Sequence, residues 1–355
     1  MADPKKLISR RRPFQQALHA WYQVHHRKLP WRDAPSLYQT VVSEFMLQQT
    51  QVATVLSYFE RWMREIPDFA SLAAAPEAKV LKLWEGLGYY ARARSLHQLA
   101  QAIVNLPVPP RTPAEWRELP GVGPYTASAI TSIAFGEPAA CVDGNVVRIL
   151  ARLTGEGRLF RDGSEAARHF TPLADALLIG SDPGTHNQAM MELGATVCLR
   201  QKPSCRVCPV AEFCIARKSG EPEKFPRLKP RQTEQRAVTR IWCEQRGKLL
   251  LRRSPVRARR LAGLHELPEA ADLGLNLPGG KTLLAVNRRT ITRFQITESI
   301  YRVSPTAARL KKIAANNLLE WLPLAKLDRV TLSGPHRRWI ADLLQKKPAA
   351  NQPVD

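Results

Sequence analysis

Apolar residues recur at helical spacing through most of the first 217 residues. The three-and-four spacing predicts helices within residues 14–24, 40–59, 80–83, 95–104 and 126–133. Stretches rich in proline and glycine separate these runs, among them LAAAPEA, LPGVG and GSDPGTHN. Residues 1–220 are therefore predicted to form an all-α domain.

The pattern changes after residue 220. The stretch EPEKFPRLKPR mixes prolines with charges, which favours an extended linker, placed at 221–234. Alternating apolar and polar residues in RAVTRIWCE, KLLLRRS and RRTITRFQITESIYRV then predict β-strands, and a helix is expected at 334–345. Residues 235–347 are predicted to form a second domain of the α+β class.

The chain is strongly basic. Its 355 residues include 53 Lys and Arg against 31 Asp and Glu, a formal net charge of +22. Residues 221–355 have 27 basic and 12 acidic side chains, whereas residues 1–220 have 26 and 19, so the shorter C-terminal part carries most of the excess. A polyanionic partner is expected, nucleic acid before an acidic membrane.

Nothing in the sequence predicts a membrane segment. No apolar run approaches the roughly 20 residues that span a bilayer, and the basic start MADPKKLISRRRPF lacks the apolar core of a signal peptide. We expect a soluble cytoplasmic protein with no membrane partner.

Four of the six cysteines lie close together, in CLRQKPSCRVCPVAEFC: Cys198, Cys205, Cys208 and Cys214. In an intracellular protein this clustering favours metal ligation over disulfides. Zinc and a [4Fe-4S] cluster are the alternatives, and the presence of only one C-x2-C pair weakens the case for zinc. The separate Cys141 and Cys243 are expected to be small buried hydrophobic residues.

Two glycines flank a valine in ELPGVGPYTASAI, at Gly121, Val122 and Gly123. Glycine permits backbone conformations closed to residues with a Cβ, and the N–H groups at the start of the following helix can bind a phosphate. Such a hairpin would hold DNA without reading its sequence. A glycine-rich turn between helices is usually only a turn, but VDGNVVRIL further along makes the pattern more specific.

Two carboxylates stand out. Asp143 in VDGNVVRIL is in a position that suits a helix N-cap. Glu44 in VVSEFMLQQTQV is surrounded by apolar residues, so it lies either at the exposed edge of a helix or in the interior with a raised pKa. In the second case the carboxyl would keep its proton near neutral pH, as a general acid must.

These strings and the cysteine spacing resemble the helix-hairpin-helix DNA glycosylases of the endonuclease III and MutY group. The similarity extends over nearly the whole chain and is greatest to the MutY-type adenine DNA glycosylases. It implies a six-helix-barrel domain with a [4Fe-4S] cluster bound by the four cysteines of 198–214, followed by a Nudix-like domain. It also implies a monomer that acts on double-stranded DNA containing adenine opposite 8-oxoguanine or guanine, in the nucleoid of a bacterial-type cell.

The resemblance assigns catalytic roles. In this family the glutamate matching Glu44 protonates adenine, and the aspartate matching Asp143 stabilises the positive charge at C1′ of the deoxyribose. Tyr125 and Asn145 are implied to hydrogen-bond around Asp143. Endonuclease III has a Schiff-base lysine at the position of Tyr125, so a monofunctional glycosylase that uses water is predicted. An endonuclease III-like glycosylase and lyase, or a noncatalytic DNA-binding or electron-transfer iron–sulfur protein, are the alternatives.

Further residues are implied to contact the flipped adenine or the DNA. RKLPWRD, the end of VVSEFML and HNQAMMELG would supply the base pocket, with Arg27, Trp31, Arg32, Leu47 and Gln188. The hairpin residues, Gln48 or Gln49, Tyr89, Lys202 and Arg206 would contact DNA. Ordinary structural roles compete with these: core packing for Trp31, Leu47 and Tyr89, a helix surface for Gln49, and a solvated basic surface for Lys202 and Arg206.

The segment LAGLHELPEA, 261–270, resembles part of the MutY C-terminal domain, which recognises 8-oxoguanine. The closely spaced glutamates of a catalytic Nudix helix do not follow it, so binding without nucleotide hydrolysis is predicted. Where the family often has Phe-Ser-His, this chain has Ile291, Thr292 and Arg293. Thr292 would replace the serine donor and Ile291 would wedge into the stack, while the permanently charged Arg293 would contact phosphate or guanine.

Overall fold

The computed structural model of the chain describes residues 4–33, 35–230, 232–255, 258, 261–275, 282–304 and 306–345. Two compact units make up the chain: Met1–Ala74 with Ser95–Pro230, and Ala75–Arg94 with Arg231–Asp355. None of the helices in the described ranges is both long and apolar enough to cross a bilayer.

Up to residue 230 the described chain is almost entirely helical, as predicted. The helices are α1 (Pro4–Ser9), α2 (Arg11–His25), α3 (Leu37–Leu47), α4 (Val52–Glu65), α5 (Phe69–Ala74), α6 (Glu77–Leu83), α7 (Ala91–Ile103), α8 (Pro113–Arg117), α9 (Pro124–Phe135), α10 (Gly144–Thr154), α11 (Gly163–Leu177), α12 (Pro183–Thr196) and α13 (Ile215–Lys218). Two short strands, β1 (Leu159–Phe160) and β2 (Arg227–Leu228), pair in parallel. Helix α6 belongs to the second unit.

The helical spacing over 40–59 falls on two helices. Helix α3 ends at Leu47 and α4 begins at Val52, and Gln49 between them has a φ of +56°. No glycine or proline marks this break in the sequence QQTQ, and a left-handed conformation is uncommon for glutamine. The break also shows that Gln49 does not lie on a helix surface.

Helices α2, α9, α10 and α12 form the part of the first unit that supports the site. Helix α12 packs against the other three. Their shared core contains Leu18 from α2, Leu150 from α10 and Leu193 from α12, all completely buried. The starts of α9 and α10 are thereby held next to α12, which places residues distant in sequence side by side.

The second unit has two sheets. Its elements after residue 230 are β3 (Glu234–Trp242), β4 (Glu244–Gln245), β5 (Lys248–Arg253), β6 (His265–Glu266), β7 (Thr282–Ile291), β8 (Phe294–Arg302), α14 (Ala307–Ala314), β9 (Leu319–Pro323) and α15 (Gly334–Gln345). One sheet has the order β3-β8-β7, with β3 parallel and β7 antiparallel to β8. The other consists of β4, β5 and β6, with β9 also paired to β5. The α+β class and the helix expected at 334–345 are confirmed.

The predicted boundaries, 1–220, 221–234 and 235–347, differ from these units in two places. Ala75–Arg94 belongs to the second unit, where the Tyr90 hydroxyl donates to Leu332 O at 3.0 Å and Arg337 Nε donates to Glu85 Oε1 at 2.7 Å. Residues 221–230 of the predicted linker belong to the first unit, in which β2 pairs with β1 and Arg152 Nε donates to Pro222 O at 2.8 Å.

Candidate active site

A cavity in the first unit gathers the residues predicted to act on the base. With its open mouth it encloses about 790 Å³, within the range of small-molecule sites. It is lined by all nine residues predicted for catalysis and base recognition: Glu44, Tyr125, Asp143 and Asn145, with Arg27, Trp31, Arg32, Leu47 and Gln188. Residues from distant parts of the sequence thus converge on one site, as the motif resemblance implies.

Glu44 lines this cavity from α3. Its position on α3 leaves it 6% exposed, and its Oε2 atom has no hydrogen-bond partner among the described residues. Burial raises the pKa of Glu44 to about 7, an effect that the nearby Tyr125 hydroxyl opposes and the charge of Asp143 reinforces. Of the two possibilities for this residue, the buried carboxyl with a raised pKa is therefore the one observed.

Asp143 caps α10 and faces the same cavity. Its Oδ1 accepts hydrogen bonds from the backbone N–H groups of Asn145 at 2.9 Å and Val146 at 2.8 Å, and its Oδ2 accepts one from Asn145 Nδ2 at 2.9 Å. Burial raises the pKa of Asp143, whereas these three hydrogen bonds favour its ionised form. The N-cap role and a position in the site are compatible.

Arg148 supports this arrangement, and the sequence analysis did not single it out. Its Nη2 donates to Asn145 Oδ1 at 2.8 Å and to Gly194 O at 2.7 Å, while its Nε donates to Cys198 O at 2.8 Å. Because Arg148 can only donate, it turns the oxygen of the Asn145 amide away from Asp143 and the NH₂ group toward it. A signal was present, since Arg148 lies on VDGNVVRIL one turn after Asn145.

Tyr125 is the second residue of α9. Its hydroxyl donates to Met191 Sδ at 3.0 Å, and a hydrogen bond from Tyr125 to Asp143, which the resemblance implies, is not among the described contacts. Burial, together with the charges of Glu44 and Asp143, raises the pKa of Tyr125 well above its usual value, so the phenol is neutral. The described lining of the cavity includes no lysine.

The sequence analysis also missed Glu192, which holds Arg27 and Arg32 in the wall of the cavity. This glutamate on α12 is fully buried and accepts hydrogen bonds from Arg27 Nε at 2.7 Å and Arg32 Nη2 at 2.8 Å. Burial opposes its ionisation, but the two guanidinium groups outweigh burial and lower the pKa of Glu192 to about 2. The arginines are therefore held by a carboxylate that stays charged at neutral pH.

The remaining base-pocket residues are anchored by the core. Trp31 is 6% exposed and meets the Phe59 ring edge-on, with ring centroids 5.2 Å apart. Gln188 Oε1 accepts a hydrogen bond from the Tyr22 hydroxyl at 3.2 Å. Trp31 thus lines the cavity and packs in the core at the same time.

The hairpin before α9 needs glycine at one position, not two. Gly121 has a φ of +76°, and a Cβ there would lie 2.4 Å from Ser95 Cβ. Gly123 has a φ of −90° and open space around it, so the expectation that both glycines adopt restricted conformations is wrong for Gly123. Val122 is buried. No side chain caps α9, so the N–H groups of its first turn face outward without intrahelical partners.

The other predicted DNA contacts lie on the surface or at its edge. Gln48 Nε2 donates to Thr126 Oγ1 at 3.2 Å, which joins the end of α3 to α9. Gln49 is exposed. Tyr89 belongs to the second unit and is 47% exposed with a φ of +48°, so it is not a packed core aromatic.

The residues predicted to sense the lesion form a hairpin end in the second unit. Ile291 is the last residue of β7, and Thr292 and Arg293 make the turn to β8, with a φ of +54° at Thr292. Arg293 Nε pairs with Glu234 Oε1 at 2.8 Å, and both side chains are substantially exposed. Such a surface ion pair is weak and leaves the guanidinium accessible.

The four clustered cysteines line one small cavity with Arg152. Arg152 is 2% exposed and its Nη1 donates to Cys198 Sγ at 3.2 Å. Burial raises the pKa of Cys208 to about 12, and the neighbouring thiolates add to the rise, so ionised sulfurs here require positive charge. Lys202 and Arg206 are exposed on the same loop, while Cys141 and Cys243 are buried, as expected.

The four cysteines line one cavity, and thiolates are ligands for both zinc and a [4Fe-4S] cluster. In the described part of the chain, no group of three or more His, Cys, Asp or Glu side chains is arranged to hold a single ion.

Comparisons with known proteins show the family of the chain. Residues 42–171 match the family described as HhH-GPD superfamily base excision DNA repair protein. An adenine DNA glycosylase from Mycobacterium tuberculosis is 40% identical over 206 residues, which cover 57% of this chain and 67% of that protein. The chain belongs to the adenine DNA glycosylase family. The human adenine DNA glycosylase is 45% identical over 225 residues, 60% of this chain and 41% of the human protein, so the match spans less than half of that relative.

A solved structure supports the fold of this family member. A noncovalent complex of endonuclease III with DNA matches with a TM-score of 0.51 and 22% identity, covering 62% of this chain and 99% of the endonuclease III chain. At that identity the match concerns fold alone. The predicted helix-hairpin-helix architecture of the helical region is confirmed.

Proposed function

We propose that the protein is a monofunctional DNA glycosylase that removes adenine mispaired with 8-oxoguanine or guanine, in base excision repair. The observation that carries this proposal is the pair of dissimilar carboxyls in one cavity. Glu44 is buried with a pKa of about 7, and Asp143 accepts three hydrogen bonds that favour the carboxylate. Glycoside hydrolysis needs such a pair, one group to donate a proton and the other to stabilise positive charge.

Each carboxyl has a distinct part in the reaction. Glu44 donates its proton to the flipped adenine, which makes the base a better leaving group. Asp143 faces the sugar and stabilises the oxocarbenium ion that forms as the bond from C1′ to the base breaks. Water then adds at C1′ while one of its O–H bonds breaks, and the proton released returns to the Glu44 carboxylate, which completes hydrolysis. Arg27 and Arg32, held by Glu192, frame the base, and Trp31 limits its position.

Tyr125 supports base removal without strand cleavage. A lyase of the endonuclease III type attacks C1′ with a lysine amine and forms a Schiff base. The described lining of this cavity offers a neutral phenol in place of such an amine. The product is therefore an abasic site in an intact strand.

The four cysteines would hold a [4Fe-4S] cluster, which when bound supplies four iron–thiolate bonds that fix the loop. Arg152 would donate to the sulfur of Cys198, and the exposed Lys202 and Arg206 would contact phosphate. The hairpin end at Ile291–Arg293 would contact the strand opposite the adenine. We propose further that the protein acts as a monomer on duplex DNA in the cytoplasm.

The experiment follows adenine excision from three duplexes, with adenine opposite 8-oxoguanine, guanine or thymine. Alkali is used to reveal abasic sites. We expect alkali-dependent breaks in the first two duplexes with the wild-type protein and with Glu60→Gln, an exposed control on α4. Glu44→Gln should give none at the same protein concentration.

Two results would contradict the proposal. Absence of breaks from both mispaired duplexes with the wild-type protein would exclude the adenine glycosylase. A covalent adduct with DNA after borohydride treatment would indicate the endonuclease III-like lyase instead.

A further inference from the structure

The hydrogen bond between Tyr125 and Met191 has a fixed direction. A phenol has one proton, and a thioether sulfur can only accept. With Tyr125 Oη 3.0 Å from Met191 Sδ, the proton of Tyr125 therefore points at the sulfur. Met191 on α12 lines the same cavity as Glu44 and is partly buried.

This direction matters for the neighbouring carboxyl. The groups that face Glu44 are Tyr125 on α9, Asp143 at the start of α10, Arg32, and Cys141. Tyr125 can stabilise a Glu44 carboxylate only by donating its proton to it. The Tyr125 hydroxyl also interacts with Glu44 and lowers its pKa, so Met191 Sδ and the Glu44 carboxylate compete for one phenol proton.

We propose that Met191 is a positioning residue, which competes with Glu44 for the Tyr125 proton and so favours the protonated form of Glu44. This inference rests on the proposed function for its consequence, since the protonated Glu44 is the group that donates to adenine. Met191 would otherwise be only an apolar wall of the cavity, a role that leucine fills equally well.

The test compares wild-type protein with Met191→Leu, which keeps the volume and removes the acceptor. Freed from the sulfur, the Tyr125 hydroxyl would donate to the Glu44 carboxylate and lower its pKa by about one to two pH units. Single-turnover adenine release should then decline at lower pH than in the wild type. The two proteins should differ by about tenfold or more at pH 8 and by less than about twofold at pH 5.

Two further variants identify the cause. Met191→Gln, whose amide oxygen again accepts from Tyr125, should restore most of the wild-type pH profile. In a Tyr125→Phe background, Met191→Leu should cause no further shift, because no hydroxyl remains to redirect. Met63→Leu on α4 serves as a matched methionine control with an unchanged profile.

A readout independent of catalysis separates this inference from the proposed function. Carbon NMR of protein with labelled glutamate carboxyls, with Glu44 assigned from Glu44→Gln, gives its titration directly. A lower midpoint in Met191→Leu supports the role of Met191 even if no DNA substrate is cleaved. Coincident titrations of wild type and Met191→Leu, or a shift that persists in the Tyr125→Phe background, would overturn it.

Discussion

Each unit buries a glutamate among charged groups, and the two sites use it differently. In the first unit Glu44 has an oxygen with no hydrogen-bond partner among the described residues, and burial raises its pKa to about 7. In the second unit Glu298 is completely buried and accepts hydrogen bonds from Arg240 and Arg289. The same buried side chain thus has an oxygen without a hydrogen-bond partner among the described residues in one unit and two arginine donors in the other.

Charged groups surround the Glu298 side chain. Arg240 Nε donates to it at 2.7 Å, and Glu266 lies close to the same guanidinium group. His336 accepts a hydrogen bond from Leu267 N at 2.9 Å, and burial together with the arginines lowers its pKa well below the usual value. Two arginines and two glutamates of opposite charge thus lie around a neutral histidine, and we expect their attraction to stabilise the unit.

The largest expected effect is that of Glu44→Gln on the rate of adenine release. Glu44→Gln should reduce adenine release by about 10² to 10⁴-fold, the usual contribution of a general acid. The wild-type rate should itself fall as pH rises through about 7, because only protonated Glu44 can donate. Single-turnover kinetics from pH 5 to 9 measures both effects, and a wild-type rate that rises across this range would contradict the assignment.

Glu44→Gln, which should lower activity, should raise stability at high pH. The folded pKa of about 7 exceeds the ordinary value of 4.5, so folding is favoured at low pH and this contribution is lost as pH rises from 4.5 to 7. Relative to wild type, Glu44→Gln should therefore gain about 3 kcal/mol of unfolding free energy between pH 4.5 and pH 8. Urea unfolding at the two pH values gives this difference.

Glu298→Gln should show the reverse pattern. Removal of this carboxylate leaves Arg240 and Arg289 without their buried partner, which costs about 3 to 5 kcal/mol. Urea unfolding of the second unit's signal, for example from Trp242 and Trp339, measures the loss. Asp342→Asn, on the exposed side of α15, is the control and should change stability by less than about 0.5 kcal/mol. An equal effect of both variants would show that the ion cluster does not stabilise the unit.

The comparison also separates what the sequence can predict from what it cannot. Glu44, Asp143 and the four cysteines lie in short strings whose residue types and spacing suffice to select them. The N-cap role of Asp143 follows from local physics, since the backbone N–H groups that it accepts from are two and three residues away. Helical periodicity likewise depends on neighbours three and four positions apart.

Residues defined by distant partners escaped prediction. Glu192 is a single acidic residue in the stretch HNQAMMELG, and its importance depends on Arg27 and Arg32, more than 150 residues earlier. The sequence gives no sign that Met191 accepts a hydrogen bond from Tyr125, which lies 66 residues earlier. The association of Ala75–Arg94 with the second unit has no signature in composition, because it depends on pairs such as Glu85 and Arg337.

Glu192 stands between the two extremes, because it is a paired buried carboxylate inside the candidate active site. Its pKa of about 2 lies below the ordinary 4.5, so its stabilising contribution is present above pH 4.5 and is lost as pH falls toward 2. Glu192→Gln should cost about 2 kcal/mol at pH 7, less than Glu298→Gln, because Arg27 is partly exposed and screened by solvent. Thermal unfolding of both variants at pH 7 compares their losses of stability. A larger loss for Glu192→Gln than for Glu298→Gln would contradict this prediction.

The smallest expected effect is that of Arg148, which orients Asn145 and does not contact the reacting atoms. Arg148→Gln removes the donor to Asn145 Oδ1, so the Asn145 amide is free to rotate away from Asp143. We expect about a tenfold slower adenine release, since one hydrogen bond to a charged group is weakened while the two backbone hydrogen bonds to Asp143 Oδ1 persist. Arg148→Lys keeps the charge but lacks the fork that reaches Asn145, Gly194 and Cys198 together, so it should be nearly as slow as Arg148→Gln. Full activity of Arg148→Lys would mean that a positive charge near Asp143 is sufficient and that the hydrogen bond to Asn145 Oδ1 is not needed.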